Sequence, residues 1–310
     1  MEIIRGVHNL SDYHKGNAVT IGNFDGVHAG HLGIIHRLNN VAKQHQVPAT
    51  IITFHPTPQD YFNQGSKIPR INLFRDKMHT LEQLGIDRVV IIPFTKKLAN
   101  LEAIDFIESI LLEKLKVKHL IIGDDFRFGK NRKGDFALLQ TYNNKNGFFV
   151  ENTQTIEAQN ARISSTKIRQ FLSEGNLNTA IKFLGHPFCI TGKVIHGDQR
   201  GRKLGFPTAN IRPKHRIALQ NGVYAAKVEI ENKVCNAVIN IGLRPTVDGS
   251  NYLIEAHIID FNQNIYKQRI SICFEKFIRP EQKFDNLNSL KEQIELDKTT
   301  AINHLTQISN

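Results

Sequence analysis

The sequence predicts two domains of different class: an α/β domain on a parallel sheet over residues 1–185, then a small antiparallel β-barrel or sandwich with a closing helix over 186–310. Three observations carry this. A length of 310 residues suits about two domains of ordinary size, each able to bury its own core. Up to residue 184, short apolar runs alternate with longer stretches of helical periodicity, as in βα units. From His186-Pro187 onward, β-branched alternating runs punctuated by Gly and Asn replace them, as in all-β domains.

Taken in order, apolar runs predict strands over 18–21, 49–54, 88–92, 118–122 and 147–150, with helices over 31–46, 73–84, 103–115 and 135–144 between them. Strand and helix taking turns implies a sheet covered on both faces, with ligands held beyond the carboxyl ends of its strands. The second half predicts strands over 188–195, 223–230, 233–241, 252–259 and 269–274. An amphipathic helix over 288–305 follows, with Leu290, Ile294, Ala301 and Leu305 near one face.

Hydrophobic residues make up 40% of the chain and charged residues 22%, a composition that excludes a disordered or fibrous protein. No apolar run approaches the roughly 18 residues that span a bilayer, and MEIIRGVHNL lacks the apolar core of a secretory signal. Neither membrane insertion nor secretion is expected. Cys189, Cys235 and Cys273 are odd in number and well separated, so neither a disulfide framework nor a zinc knuckle is expected, which suits a reducing cytoplasm. The net charge of +11 favours anionic partners. It is concentrated in 193–216, where Lys193, Arg200, Arg202, Lys203, Arg212, Lys214 and Arg216 face only Asp198.

The first candidate site follows the first predicted strand, in GNFDGVHAGH (22–31). Gly22, Gly26 and Gly30 allow a tight turn and close approach of a ligand. His28 and His31, three apart at a helix start, share a face with unpaired backbone N–H groups and the positive end of the helix dipole, which suits an anion. Metal binding by the pair lacks a third ligand at a recognisable spacing. A second segment, ARISSTKIRQFL (161–172), sets Ser164, Ser165 and Thr166 before a short helix bearing Lys167 and Arg169. These groups can cap the helix or hold a phosphate, with Arg169 adding a fork to its oxygens. Together the segments offer what nucleotidyl transfer needs, and no GxxxxGK[ST] loop is present.

The second candidate site is GKVIHGDQRGRKLGFPTAN (192–210). Gly192, Gly197, Gly201 and Gly205 punctuate a predicted loop whose backbone N–H groups can form an anion nest, with Lys193 and its basic neighbours adding charge. Thr208 and Asn210, two apart on an extended segment, face the same way and supply oxygen ligands of the kind Mg²⁺ takes alongside phosphates. Glu255 lies in YLIEAHIIDF (252–261), on the face opposite Tyr252, Ile254 and Ala256. Such a carboxylate can sit on a solvent-facing strand or accept the proton of an alcohol attacking a γ-phosphate.

The HxGH signature resembles that of the nucleotidylyltransferase superfamily. Taken with GDDFRFGKNRKGD (123–135) and RISSTKIR (162–169), it resembles the adenylyltransferase module of bacterial bifunctional riboflavin kinase/FAD synthetases. The resemblance implies a Rossmann-like nucleotidylyltransferase domain that moves AMP from ATP to FMN, giving FAD and pyrophosphate. It implies that His28 and His31 stabilise the transferring α-phosphate and that Arg169, also catalytic, binds ATP phosphates. Gly22, Phe24, Asp25, Gly26, Asp125, Ser164, Ser165 and Thr166 would hold ATP. TFHPTP (53–58) resembles the family's loop near the flavin.

PTAN (207–210), GVYAAKV (222–228), GLRPT (242–246), the Glu255 strand and RPEQKF (279–284) follow the order of the riboflavin kinase module. By that resemblance the C-terminal domain phosphorylates riboflavin to FMN. Glu255 would be the general base for the ribityl 5′-hydroxyl, and Thr208 and Asn210 the Mg²⁺ ligands. Gly192, Lys193, Gly201 and Gly205 would belong to the ATP loop. Asn264, Ile265, Tyr266 and Lys267 depart from the family's DLYG. Flavoproteins that use FMN and FAD are compatible clients, with no segment assigned to them.

Two other readings stand beside this one. An HxGH transferase with another phosphate acceptor leaves the C-terminal motif set unused. A nucleic-acid-binding protein would use the positive charge, but the cations of 193–216 alternate with glycines rather than stacking aromatics, and no RNP1 pattern is present.

Overall fold

A computed structural model describes residues 1–63, 68–145, 147–153, 157–158, 161–197, 201, 204–246 and 249–308. Asp198, Arg200, Arg202 and Lys203 of the basic stretch lie outside the described residues. The chain forms two compact units. The first comprises Met1–Ile68 and Lys77–Ser164, and the second Pro69–Asp76 and Ser165–Asn310. The expected division at 185 follows motifs, whereas compactness assigns 165–184 to the second unit, together with 69–76. Arg70 bridges to Ile217 there, and the Asp76 carboxylate accepts the Thr191 N–H at 3.1 Å.

The first unit is a six-stranded parallel sheet: β1 (Glu2–Arg5), β2 (Asn17–Ile21), β3 (Ala49–Phe54), β4 (Arg88–Ile92), β5 (Val117–Gly123) and β6 (Phe149–Thr153). Their spatial order is β1-β4-β3-β2-β5-β6. Strands β2, β3 and β4 are buried along nearly their whole length, as continuous apolar runs between two helical layers require. Helix α1 (Ala29–Gln44) and helix α2 (Phe74–Gln83), which belongs to this unit from Lys77 on, fall where the periodicity predicts them. The order reverses direction between β2 and β5, so their carboxyl ends form the switch point where ligands bind in such sheets.

Two differences from expectation stand out in this unit. Strand β1 was not predicted. The helix expected over 103–115 is one α-turn followed by a π-helix, Phe106–Lys114, in which Leu115 N–H reaches the Ile110 carbonyl at 3.1 Å. The wider turn lets Phe106, Ile107, Ile110 and Leu111 all enter the core.

The second unit opens with α3 (Ser165–Ser173) and α4 (Leu177–Leu184). A closed antiparallel barrel follows: β7 (Phe188–Ile195), β8 (Ala209–Ile211), β9 (Gly222–Ile230), β10 (Lys233–Thr246), β11 (Gly249–Ile258) and β12 (Arg269–Pro280), in the order β8-β11-β10-β9-β12-β7. The barrel is confirmed over the sandwich, and β8 is an addition to the predicted strands. Alternation along β11 buries Tyr252, Ile254, Ala256 and Ile258 and leaves Glu255 and His257 half-buried. Helix α5 (Leu287–Gln307) packs Ala301 and Leu305 against Val223, Ala225 and Val238.

The cysteine expectation is corrected here. Cys189 and Cys273 are 84 residues apart in sequence but direct partners across β7 and β12, with Cα atoms 4.0 Å apart, and they form a disulfide. Sequence separation hides such a pair because strand register alone brings it together. Cys235 remains a free thiol.

Candidate active sites

In the first unit the loop after β2 carries its chain through unusual backbone. Phe24 (φ 49°), Gly26 (φ 86°) and Val27 (φ 43°) all take left-handed conformations, which cost a β-branched or bulky residue about 1–3 kcal/mol. That strain delivers His28 to the N-cap of α1, where its carbonyl accepts the His31 N–H at 2.7 Å. The first turn of α1 contains no acidic residue, so its positive dipole end keeps no internal counter-charge. Gly30 makes the approach possible: a Cβ there would lie 3.2 Å from the His28 ring and 3.7 Å from the Ile163 carbonyl. The residue before Ser164 is thereby placed beside the start of α1.

His28 and His31 stack with centroids 3.7 Å apart, and the Phe24 ring lies 4.8 Å from that of His31. Burial, then the neighbouring His28 and then Lys77 hold the His31 imidazole well below the usual histidine range. His31 Nδ1 is buried with no hydrogen-bond partner among the described residues. Lys77, from α2, was not singled out by sequence. It is buried, and its ammonium donates to the Asn23 carbonyl at 3.0 Å and to Thr53 Oγ1 at 3.4 Å. The site thus presents two stacked imidazoles, a buried cation and a helix N-terminus at one switch point.

Gly22 directly follows β2, and Asp25 is buried in the loop. Asp125 is exposed just beyond β5, the neighbour of β2, with Oδ1 3.5 Å from where a Cβ of Gly123 would lie. Ser164 belongs to this unit, whereas Ser165, Thr166 and Arg169 belong to the second. Arg169 Nε donates to the Pro69 carbonyl at 3.2 Å, so part of its fork is engaged by protein. An aromatic group missed by sequence, Phe54, Tyr61, Phe62 and Phe94, gathers beyond β3 and β4 with centroids 5.2–5.9 Å apart. Phe62 is 67% exposed, which is unusual for so large an apolar ring.

Two cavities of the second unit are lined by residues of the barrel strands and their loops. The larger, about 610 Å³, is lined by Leu204, Phe206, Val223, Val238, Leu290 and Ile294, with Glu255, Asn240 and Arg279 among its polar groups. The smaller, about 330 Å³, is lined by Ala209, Asn210, Ile258, Phe261 and Tyr266. Thr208 lines both. Glu255 is the direct register partner of Asn210 on one side and Asn240 on the other. Asn240 Nδ2 donates to Glu255 Oε2 at 3.2 Å.

Two placements from sequence are corrected. Gly192 and Lys193 lie inside β7 rather than in a phosphate loop, and neither lines these two cavities. Gly192 is a packing glycine, since a Cβ would come within 2.2 Å of Ile211 Cγ2. Gly201 is helical rather than in an open loop, lines the larger cavity, and its carbonyl accepts the Phe206 N–H at 2.8 Å, while Gly205 follows in a turn. Gly205 takes φ 92°, a conformation that favours glycine.

The FAD synthetase family model matches residues 10–167 and the riboflavin kinase family model residues 184–305. The chain is 42% identical over 303 residues to the bifunctional riboflavin kinase/FMN adenylyltransferase of Escherichia coli K12, covering 97% of each chain. The chain belongs to the bifunctional riboflavin kinase/FMN adenylyltransferase family. The Haemophilus influenzae relative of the same description is 43% identical over 302 residues, covering 97% of this chain and 98% of that one. A solved structure described as a macrolide-efflux protein of Streptococcus pneumoniae shares the architecture, with a TM-score of 0.84 and 28% identity over 98% of this chain and 99% of that one. Among the described residues, no helix is long and apolar enough to cross a membrane.

Proposed function

We propose that the chain performs its family's two reactions in two separate sites, adenylyl transfer in residues 1–185 and riboflavin phosphorylation in 186–310. The observation that carries the kinase reading is Thr208, shared by a large apolar cavity bearing Glu255 and a smaller one bearing Asn210. Two substrates that exchange a phosphoryl group need adjoining pockets with their reacting atoms at the common wall. The larger cavity suits the flavin ring and ribityl chain, and the smaller suits the adenosine of ATP, with Gly201 and Gly205 shaping the phosphate loop. Glu255 accepts the proton of the ribityl hydroxyl as its oxygen attacks the γ-phosphorus.

The donor set at this wall fits Mg²⁺. Asn210 Nδ2 donates to the Thr208 carbonyl at 3.3 Å, which turns Oδ1 the other way, and a Cβ on Gly197 would fill the space beside that amide. Thr208 and Asn210 would therefore offer neutral oxygens to an ion held chiefly by phosphates. When bound, Mg²⁺ neutralises charge on the phosphate oxygens.

In the first unit His28 and His31 stabilise charge on the α-phosphate as FMN attacks it and pyrophosphate leaves. By resemblance, Gly22, Phe24, Asp25, Gly26, Asp125 and Ser164 of this unit serve the ATP site. The Phe54, Tyr61, Phe62 and Phe94 group offers a stacking surface for the isoalloxazine ring of FMN. A cytoplasmic location, with ATP at hand, fits both reactions.

Incubating the purified chain with riboflavin, ATP and Mg²⁺ should yield FMN and then FAD by chromatography. Absence of both products, under oxidised and reduced flavin conditions alike, would refute the proposal.

A further inference from the structure

Three side chains share one row across adjacent barrel strands: Asn210 of β8, Glu255 of β11 and Asn240 of β10. Directly opposed residues on antiparallel strands stand about 4.5–5.5 Å apart at Cβ, so either amide could reach the carboxylate between them. The two are used differently. Asn210 gives its Nδ2 to the Thr208 carbonyl, whereas Asn240 gives its Nδ2 to Glu255 Oε2. Asn240 and Glu255 both face the 610 Å³ cavity.

A glutamate on a strand has three rotatable bonds, yet a general base must present one oxygen along one direction. A displacement of about 1 Å can cost about 100-fold in rate. A hydrogen bond to one carboxylate oxygen fixes the plane of the group and assigns the two oxygens different tasks. We propose that Asn240 is a positioning residue for riboflavin phosphorylation, holding Glu255 Oε2 so that Oε1 receives the proton.

The proposal rests on the role of Glu255 as general base given above. In the step, the ribityl O–H bond breaks and its proton passes to Glu255 Oε1. The freed oxygen bonds to the γ-phosphorus, and the bond from that phosphorus to the β–γ bridging oxygen breaks, its electron pair leaving on ADP. Asn240 touches none of these atoms and acts only through the carboxylate.

The test compares Asn240→Leu, Asn240→Ser, Glu255→Gln and the Asn240→Leu/Glu255→Gln double variant in the full-length chain. FMN formation is the readout, and FAD formation from supplied FMN reports that each chain is folded. Asn240→Leu should lower kcat about 10- to 100-fold, the size expected for a lost bond to a charged group, with KM for riboflavin within about twofold. Asn240→Ser, which keeps a donor on the same face, should recover most of the rate. The double variant should be no slower than Glu255→Gln alone, because a positioning residue has nothing left to position. Wild-type kcat in Asn240→Leu, a rise in riboflavin KM at unchanged kcat, or an added loss in the double variant would each overturn the proposal. Retained FMN formation in Glu255→Gln would instead remove the general base itself, so the two failures are told apart.

Discussion

The imidazoles of His28 and His31 stack at 3.7 Å with an 18° angle between their planes, one at the N-cap of α1 and the other in its first turn. Two rings so close cannot both carry a proton cheaply, and burial adds to the penalty at His31.

This relationship makes stability fall with acid. The folded pKa of His31 lies well below its ordinary value, through burial first, His28 second and Lys77 third. In acid the unfolded chain binds a proton that the folded chain resists. The contribution of neutral His31 is therefore full above the ordinary pKa near 6.5 and declines as pH falls from there toward the folded value. Melting midpoints between pH 8 and 5 should drop more for the wild type than for His31→Gln. Parallel curves for the two proteins would contradict this.

Lys77 adds a kinetic counterpart. Replacing it with Met removes a cation that opposes protonation of His31, so the acid limb of the pH profile for FAD formation should move to higher pH. The profile for FMN formation is the internal control and should stay in place. An unmoved FAD limb in a folded Lys77→Met protein would mean that the ammonium does not act on the histidine.

Arg279 and Asp297 join β12 to α5, the helix that walls the larger cavity, through bonds of 2.7–3.1 Å, with Asp297 2% exposed. Asp297→Ala strands a largely buried guanidinium and should cost about 3–5 kcal/mol in chemical denaturation. The paired change Arg279→Met/Asp297→Leu should cost clearly less, since neither charge is left alone. Equal losses would show that helix packing rather than charge pairing is at stake.

Gly192→Ala should destabilise the barrel by about 1–3 kcal/mol by driving a methyl into Ile211, and Ile211→Ala in the same chain should restore part of the loss. KM for ATP in FMN formation should be unchanged in the folded variant, because this glycine packs β7 against β8. A raised KM with normal stability would return Gly192 to the phosphate site.

Much of the fold could be read in advance because it rests on local periodicity. The strands at 49–54 and 88–92 coincide with β3 and β4, and the final helix is within a few residues. What escaped depends on pairing across long separations. Strand β1 has four residues with only Ile4 buried, and β8 has three, too few for a period to show. The Cys189–Cys273 pair and the Asn240 bond to Glu255 arise from register, which no single segment encodes. Lys77 reads as an ordinary helix-surface charge until the fold buries it over Asn23 and Thr53. Motifs single out the histidines and Glu255 as candidates, whereas they do not show the cavities, whose walls come from strands and helix far apart in the chain.

Two reactions in separable sites is the central claim, and reciprocal substitution tests it most directly. Full-length His31→Ala and Glu255→Gln are each assayed for FMN formation from riboflavin and for FAD formation from supplied FMN. His31→Ala should lose FAD formation and keep FMN formation, and Glu255→Gln should do the reverse. Loss of both reactions in each variant, with both proteins folded by melting and circular dichroism, would contradict it.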